Sequence, residues 1–300
     1  SWITTKGPNG ETVNEFVDSG KNPPSGAIVH YYLNETPKDG ITLSFLDKEG
    51  KLIKSFVSKT EKERASGMVD ELRASADAGM NRFVWDMRYP DATKLPSNPT
   101  TEGFAATTAG PMAPPGTYQV KLTLDGKSFA QSFEILKNPL NPSTQEDLEE
   151  QFQLLLKIRD KLSGAYEAVI KLRGVREQID EWVHRAQGNA AVEQISKNAE
   201  EIKEKLAAVE YELTRVNVKG ETGQASSEPV KLSAKLAALT KVVASSDYKP
   251  TDQAYEAVEY LAGKVDETVK RLGEALEKDV PMFVKVVEQS GIPSIMVKIG

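Results

Sequence analysis

Gly79-Met-Asn-Arg-Phe-Val-Trp-Asp-Met-Arg-Tyr-Pro90 decides the fold class, together with Pro114-Pro-Gly-Thr-Tyr-Gln-Val-Lys-Leu-Thr-Leu124 beyond a Pro-, Gly- and Thr-rich stretch. Both segments alternate with period two, the period of a strand with one buried face. Phe83 and Trp85 share one face of the first strand. Tyr118, Val120, Leu122 and Leu124 share one face of the second. Pro115-Gly116 is a turn dipeptide that opens the second strand. The pair reads as the last third of a small β-sandwich, an architecture that more often presents or spaces than catalyses.

Upstream, the same period recurs. Ala27-Ile-Val-His-Tyr-Tyr-Leu33 follows the turn cluster Asn22-Pro-Pro-Ser-Gly26, and Ile41, Leu43 and Phe45 alternate within Ile41–Leu46. Asp47-Lys-Glu-Gly50 is a hairpin signal into Lys51–Val57, because Asp opens turns and Gly accepts positive φ. Residues 58–78 read as a charged loop or one short helix, and residues 91–113, with three prolines, as a second long loop. Gly126 turns the chain into a last strand ending Phe129-Ala-Gln-Ser-Phe-Glu-Ile135.

Downstream of the Pro-punctuated stretch Lys137-Asn-Pro-Leu-Asn-Pro142 the period changes to 3.6. Ser143-Thr-Gln-Glu146 reads as a capping box. Leu148, Phe152, Leu155, Leu162, Tyr166, Val169, Leu172, Ile179 and Val183 then form one stripe. That predicts a helix of about 44 residues, roughly 65 Å long, ended by Gly188-Asn189. A second helix carries Val192 to Leu213, and a polar, Gly/Ser-rich loop spans Asn217 to Pro229. A short third helix holds Leu232, Leu236, Leu239 and Val243. A fourth begins at the N-cap Thr251, is striped from Tyr255 to Val280, and is expected to kink at Pro281. Short links between such helices predict an up-down bundle.

Composition narrows the function. At 39% apolar and 27% charged residues, 300 residues suffice for about two ordinary domains. No run approaches the ~18 apolar residues of a membrane span. The opening Ser-Trp-Ile-Thr-Thr-Lys lacks an initiating Met and a signal-peptide core, so a processed or excised product is expected. Cysteine is missing, which removes disulfides and thiolate chemistry. The first 140 residues hold 16 Lys/Arg against 17 Asp/Glu, and the remainder 22 against 27. Neither part has the basic footprint of a nucleic-acid binder.

Few residues invite chemistry. The two histidines, His30 in a strand and His184 near a helix end, have no Cys, second His or spaced carboxylates beside them, so packing and surface roles outweigh a metal or triad. Asp47 and Asp86, each at a strand end, are the best placed carboxylates for a glycosidase pair, but neither sits in an apolar pocket signature. Trp2, Tyr31, Tyr32, Tyr89 and Phe104 are the aromatics that could stack on a sugar ring. Tyr31 and Tyr32 are consecutive in a strand, so they point to opposite faces. Runs such as Glu200-Glu-Ile-Lys-Glu-Lys205 are solvated faces, and a partner helix on a spare apolar groove is the alternative use of the stripes. Phosphate loops, zincin motifs and nucleophile elbows are not found.

Residues 26–135 resemble the immunoglobulin-like domain of flagellar hook-capping and other bacterial surface proteins. The resemblance lies in Ile41–Lys54, Ala78–Asp86 and Pro115–Leu122. Nearly the whole chain resembles the C-terminal region of bacterial sortilin-type propeller proteins labelled BNR-repeat glycosyl hydrolases. The matching residues are Gly20–Ala27, Trp85–Pro90, Gly110–Tyr118, Leu154–Leu162 and Ser290–Ile295. In that family a propeller precedes this region and would hold any sugar-cleaving chemistry. This chain has neither the propeller nor an Asp-box, so the resemblance implies an accessory role and an extracytoplasmic place, periplasmic or secreted.

The expectation is therefore an α+β multidomain chain. It comprises an N-terminal segment (1–19), an Ig-like antiparallel β-sandwich (20–138), a linker (139–142), an antiparallel four-helix bundle with long helices (143–290) and a tail (291–300). Phe83, Trp85, Tyr118 and Leu122 should hold the sandwich. The expected role is non-catalytic, docking or spacing the N-terminal propeller of the same parent chain or another envelope protein, with no cofactor, metal or catalytic residue. The alternatives are a wall of a propeller glycosidase site, reached by loop 91–113, and a carbohydrate-binding module. Tyr89, Phe104 and Tyr31 are the candidate glycan or partner contacts.

Overall fold

A computed structural model describes residues 2–6, 12–16, 23–58, 73–96, 109–214 and 229–292. Phe104, most of the stretch 58–78, the middle of loop 91–113 and most of the tail lie outside them. The class is α+β: antiparallel sheets come first and helices follow. Strands β1 (Trp2–Lys6) and β2 (Thr12–Phe16) form a ribbon, as do β3 (Ala27–Leu33) and β6 (Gly79–Trp85). Strands β4 (Thr42–Leu46), β5 (Leu52–Val57), β7 (Gly116–Leu124) and β8 (Lys127–Ile135) form a sheet in the order β5-β4-β7-β8. The helices are α1 (Gln145–Arg185), α2 (Val192–Leu213), α3 (Leu232–Val243), α4 (Asp252–Glu274) and α5 (Val280–Gln289), with a π-turn at Ala275–Asp279.

Two compact units divide the chain. The first takes Ser1–Leu43, Phe56–Met87 and Leu122–Phe129; the second takes Ser44–Ser55, Arg88–Lys121 and Ala130–Gly300.

In the first unit, β3 and β6 pair antiparallel from Ala27↔Trp85 to Leu33↔Gly79. Strand alternation buries Tyr31, Leu33, Phe83 and Trp85 on one side, and Phe56 meets Phe83 with ring centroids 4.7 Å apart. Gly26, at φ 139, passes so close to the Trp85 carbonyl that a side chain would collide with it. Asn81 is buried because its amide is used: Nδ2 donates to the carbonyls of Asp77 (2.8 Å) and Gly79 (3.0 Å). The β1–β2 ribbon lies within the N-terminal segment 1–19. Its sequence signal was Gly7-Pro-Asn-Gly10, a turn cluster between two short alternating runs.

In the second unit, α1 begins one residue later than the capping-box reading. Thr144 is the N-cap, accepting from the Asp147 N–H at 3.1 Å, and the Asp147 carboxylate accepts from the Thr144 N–H at 2.9 Å. Ser143 is buried instead and donates to the Asp247 carbonyl. From the α1 stripe, Leu155, Val169, Leu172 and Ile179 pack with Ile195, Ile202 and Leu206 of α2, Leu236 of α3 and Val258 and Val265 of α4 in one apolar core. Within it, Glu210 is only 2% exposed and pairs with Arg173 and Arg176, each at 2.7 Å.

A π-turn precedes Pro281, where the sequence predicts a kink. The Val280 N–H reaches back to the Ala275 carbonyl, widening the helix. Pro281 then falls in the first turn of α5, a position that accommodates proline. Leu122 also departs from expectation: it is half-buried, whereas Tyr118 on the same strand is fully buried.

Candidate functional site

The second unit contains a groove of 880 Å³, bounded by the β4–β5 turn, Tyr89-Pro90, Pro114–Tyr118, the end of β8 and one face of α1. Each wall is fixed by its own chemistry. The Asp47 carboxylate accepts from the N–H groups of Glu49 (3.1 Å) and Lys51 (2.8 Å), so it holds the turn closed. Tyr118 donates its hydroxyl to the Pro114 carbonyl at 2.7 Å, and Gln145 donates to Pro115 at 2.7 Å, which fixes the Pro-Pro-Gly corner. Arg159 donates to the Pro90 carbonyl at 3.0 Å, and its Nε lies 2.7 Å from the Asp160 carboxylate. Lys137 donates to the carbonyls of Asn141 (2.9 Å) and Ser143.

Tyr89 forms the aromatic floor. Its ring packs on Phe152 of α1, with centroids 4.8 Å apart, and its N–H donates to Pro111 at 3.0 Å. Gly110 lies opposite, and a side chain there would strike the carbonyl oxygens of Tyr89 and Pro90. Burial, then the carboxylates of Asp47, Glu149 and Glu49, pushes the Tyr89 phenol up to about 12. Burial, with Tyr89, Glu149 and Asp47 adding to it, also raises Tyr118. At neutral pH both phenols stay protonated. Tyr89 is thus a fixed ring with a neutral hydroxyl, suited to stacking and hydrogen bonding rather than proton transfer.

The described start of loop 91–113 is anchored to α1. The Thr93 N–H donates to Ser163 Oγ at 3.1 Å and its hydroxyl to Glu167 at 3.0 Å, while Ala92 packs with Leu162, Tyr166 and Ala237.

The first unit offers a different kind of surface. Tyr31 turns inward, 9% exposed, and donates to the Ser75 carbonyl at 2.5 Å. Burial, then Asp77, pushes its phenol up to about 12. The outward member of the pair is Tyr32, 64% exposed and directly opposite Met80, 71% exposed. Along the same face His30 stands opposite Arg82, and Ile28 opposite Val84. This is a ladder of apolar pairs flanking one basic pair.

Other candidates are dispersed. Asp86 is exposed at the end of β6, and His184 is exposed in the last turn of α1. Among the described residues no group of three His, Cys, Asp or Glu side chains is placed to hold a metal. Of the residues named from sequence, the structure brings Asp47 and Tyr89 to one groove, and Phe104 lies outside the described residues. Met80 was missed, although its signal was present: with Phe83 and Trp85 inward, the even-numbered residues of β6 must face out. Phe152 was read only as bundle core.

The chain matches no family model, no curated protein and no solved structure.

Proposed function

We propose that the chain is a non-catalytic accessory region of a larger propeller protein, built as an Ig-like sandwich followed by a four-helix bundle. In this reading it docks the parent's β-propeller through the outward face of β3 and β6, outside the cytoplasm. The observation that carries the reading is the Tyr32–Met80 pair with its neighbours. Large apolar side chains left exposed on either side of a basic pair mark an interaction surface, and Tyr32 and Met80 are its anchors. The His30–Arg82 pair asks for a partner surface that combines apolar side chains with a carboxylate.

Against the glycosidase alternative stands the engagement of Asp47 Oδ1 by two turn N–H groups. The carbohydrate-module reading has one observation in its favour, the Tyr89 floor within a groove rimmed by Gln145, Gln153, Glu149 and Glu134.

Calorimetric titration of a separately produced propeller segment of the parent tests the docking reading. Saturable binding lost in Tyr32→Asp and Met80→Asp, but kept in Tyr89→Ala, is the expected result. Binding that ignores both ladder variants overturns it.

A further inference from the structure

Strand β8 ends the sheet order, and among the described residues no strand pairs with its outer edge. Its hairpin with β7 turns through Asp125 (φ 46) and Gly126 (φ 73), the signature of a two-residue type I′ loop. Leu124 and Lys127 are therefore the first hydrogen-bonded pair. The register continues as it must: Thr123 Oγ1 lies 3.0 Å from Ser128 Oγ, and Tyr118 faces Phe133 with centroids 5.9 Å apart. Hydrogen-bonded and non-hydrogen-bonded pairs alternate along such a ladder. The backbone groups of Lys127, Phe129, Gln131, Phe133 and Ile135 thus serve β7. Those of Ser128, Ala130, Ser132 and Glu134 point outward.

An open edge is a template for another strand, and proteins guard it with lysine, proline or a bulge. The opposite edge, β5, carries Lys54 and follows Lys51. Strand β8 carries charge only near its ends, at Lys127 and Glu134: Ser128 to Phe133 contains no charge and no proline. Phe129 is 60% exposed although it lies on the same side of the strand as Phe133.

We propose that β8 pairs antiparallel with β8 of a second copy, about a two-fold axis at Gln131. Gln131 is the midpoint of the nine-residue strand, so this register gives every residue a partner. Its hydrogen-bonded pairs are Ser128 with Glu134 and Ala130 with Ser132, the residues whose backbone groups point outward. Phe129 meets Phe133 of the second copy at close, non-hydrogen-bonded positions. Lys127 meets Ile135, and no like charges face each other.

Light scattering behind size exclusion, on the full chain over a wide concentration range, is the test. The expected mass at high concentration is twice 32.9 kDa. Gln131→Lys and Gln131→Glu each place like charges across the axis and weaken dimerisation roughly two- to fivefold. Mixing the two variants restores a dimer, now mixed. Ser132→Pro removes an outward donor and gives a monomer whose circular dichroism matches wild type. A wild-type monomer throughout, or a dimer indifferent to both Gln131 variants, overturns the proposal.

Discussion

Tyr89 and Phe152 pack ring against ring, 4.8 Å between centroids with planes inclined at 60°, and this contact ties the residues after β6 to the first turns of α1. Phe152 is buried, so its truncation leaves a cavity beneath the groove floor. Phe152→Ala is expected to cost about 3–5 kcal/mol, whereas Phe152→Leu costs about 1.5 kcal/mol or less because most of the volume is kept. Urea midpoints of the two variants check this.

The raised tyrosines predict an alkaline limit. Tyr31 and Tyr89 are held near 12 and Tyr118 is also raised, against about 10 in the unfolded chain. Between these values the unfolded chain releases protons that the native state retains, so stability falls as pH rises. The contribution is complete below about pH 10 and lost as pH passes through 12. Denaturant titrations at a series of alkaline pH values should show this decline, and a phenolate difference spectrum should show a late-ionising fraction.

Glu210 predicts a non-additive mutant series. Replacing Arg173 and Arg176 together by Met leaves a buried carboxylate without its counter-ions and is expected to cost about 3–5 kcal/mol. Adding Glu210→Leu to that variant should recover most of the loss, since an apolar core replaces an orphaned charge. Equal stabilities for the double and triple variants would contradict this.

Asp47 should matter for stability and not for turnover. Asp47→Ala removes the acceptor of two turn N–H groups and is expected to cost about 1–2 kcal/mol, limited by the exposure of the turn. The wild-type chain is expected to release no product from aryl glycosides. A hydrolytic rate abolished by Asp47→Asn would instead support the glycosidase reading.

Much of the fold was legible because period and punctuation are local. Ala27–Leu33, Val192–Leu213 and Leu232–Val243 run where the apolar spacing places them. The errors arose where a local signal competes with tertiary demand. Ser143 looked like a cap, but burial engages its hydroxyl with Asp247, and the cap passes to Thr144. Pro281 marked an irregularity in the last helix, but the π-turn before it had no local signal. Leu122 looked like core, yet Phe129 beside the open β8 edge shows how little covers that end of the hairpin. The groove was least legible, since only folding brings Tyr89, Asp47 and Phe152 together. Tyr32 was half legible: alternation required one tyrosine of the pair to face out, and nothing local said which.

The intact mass of the native gene product in its source cell tests the central claim most directly. An accessory region of a propeller protein predicts a chain much heavier than 32.9 kDa, with the additional mass N-terminal to Ser1. A native product of 32.9 kDa would contradict it.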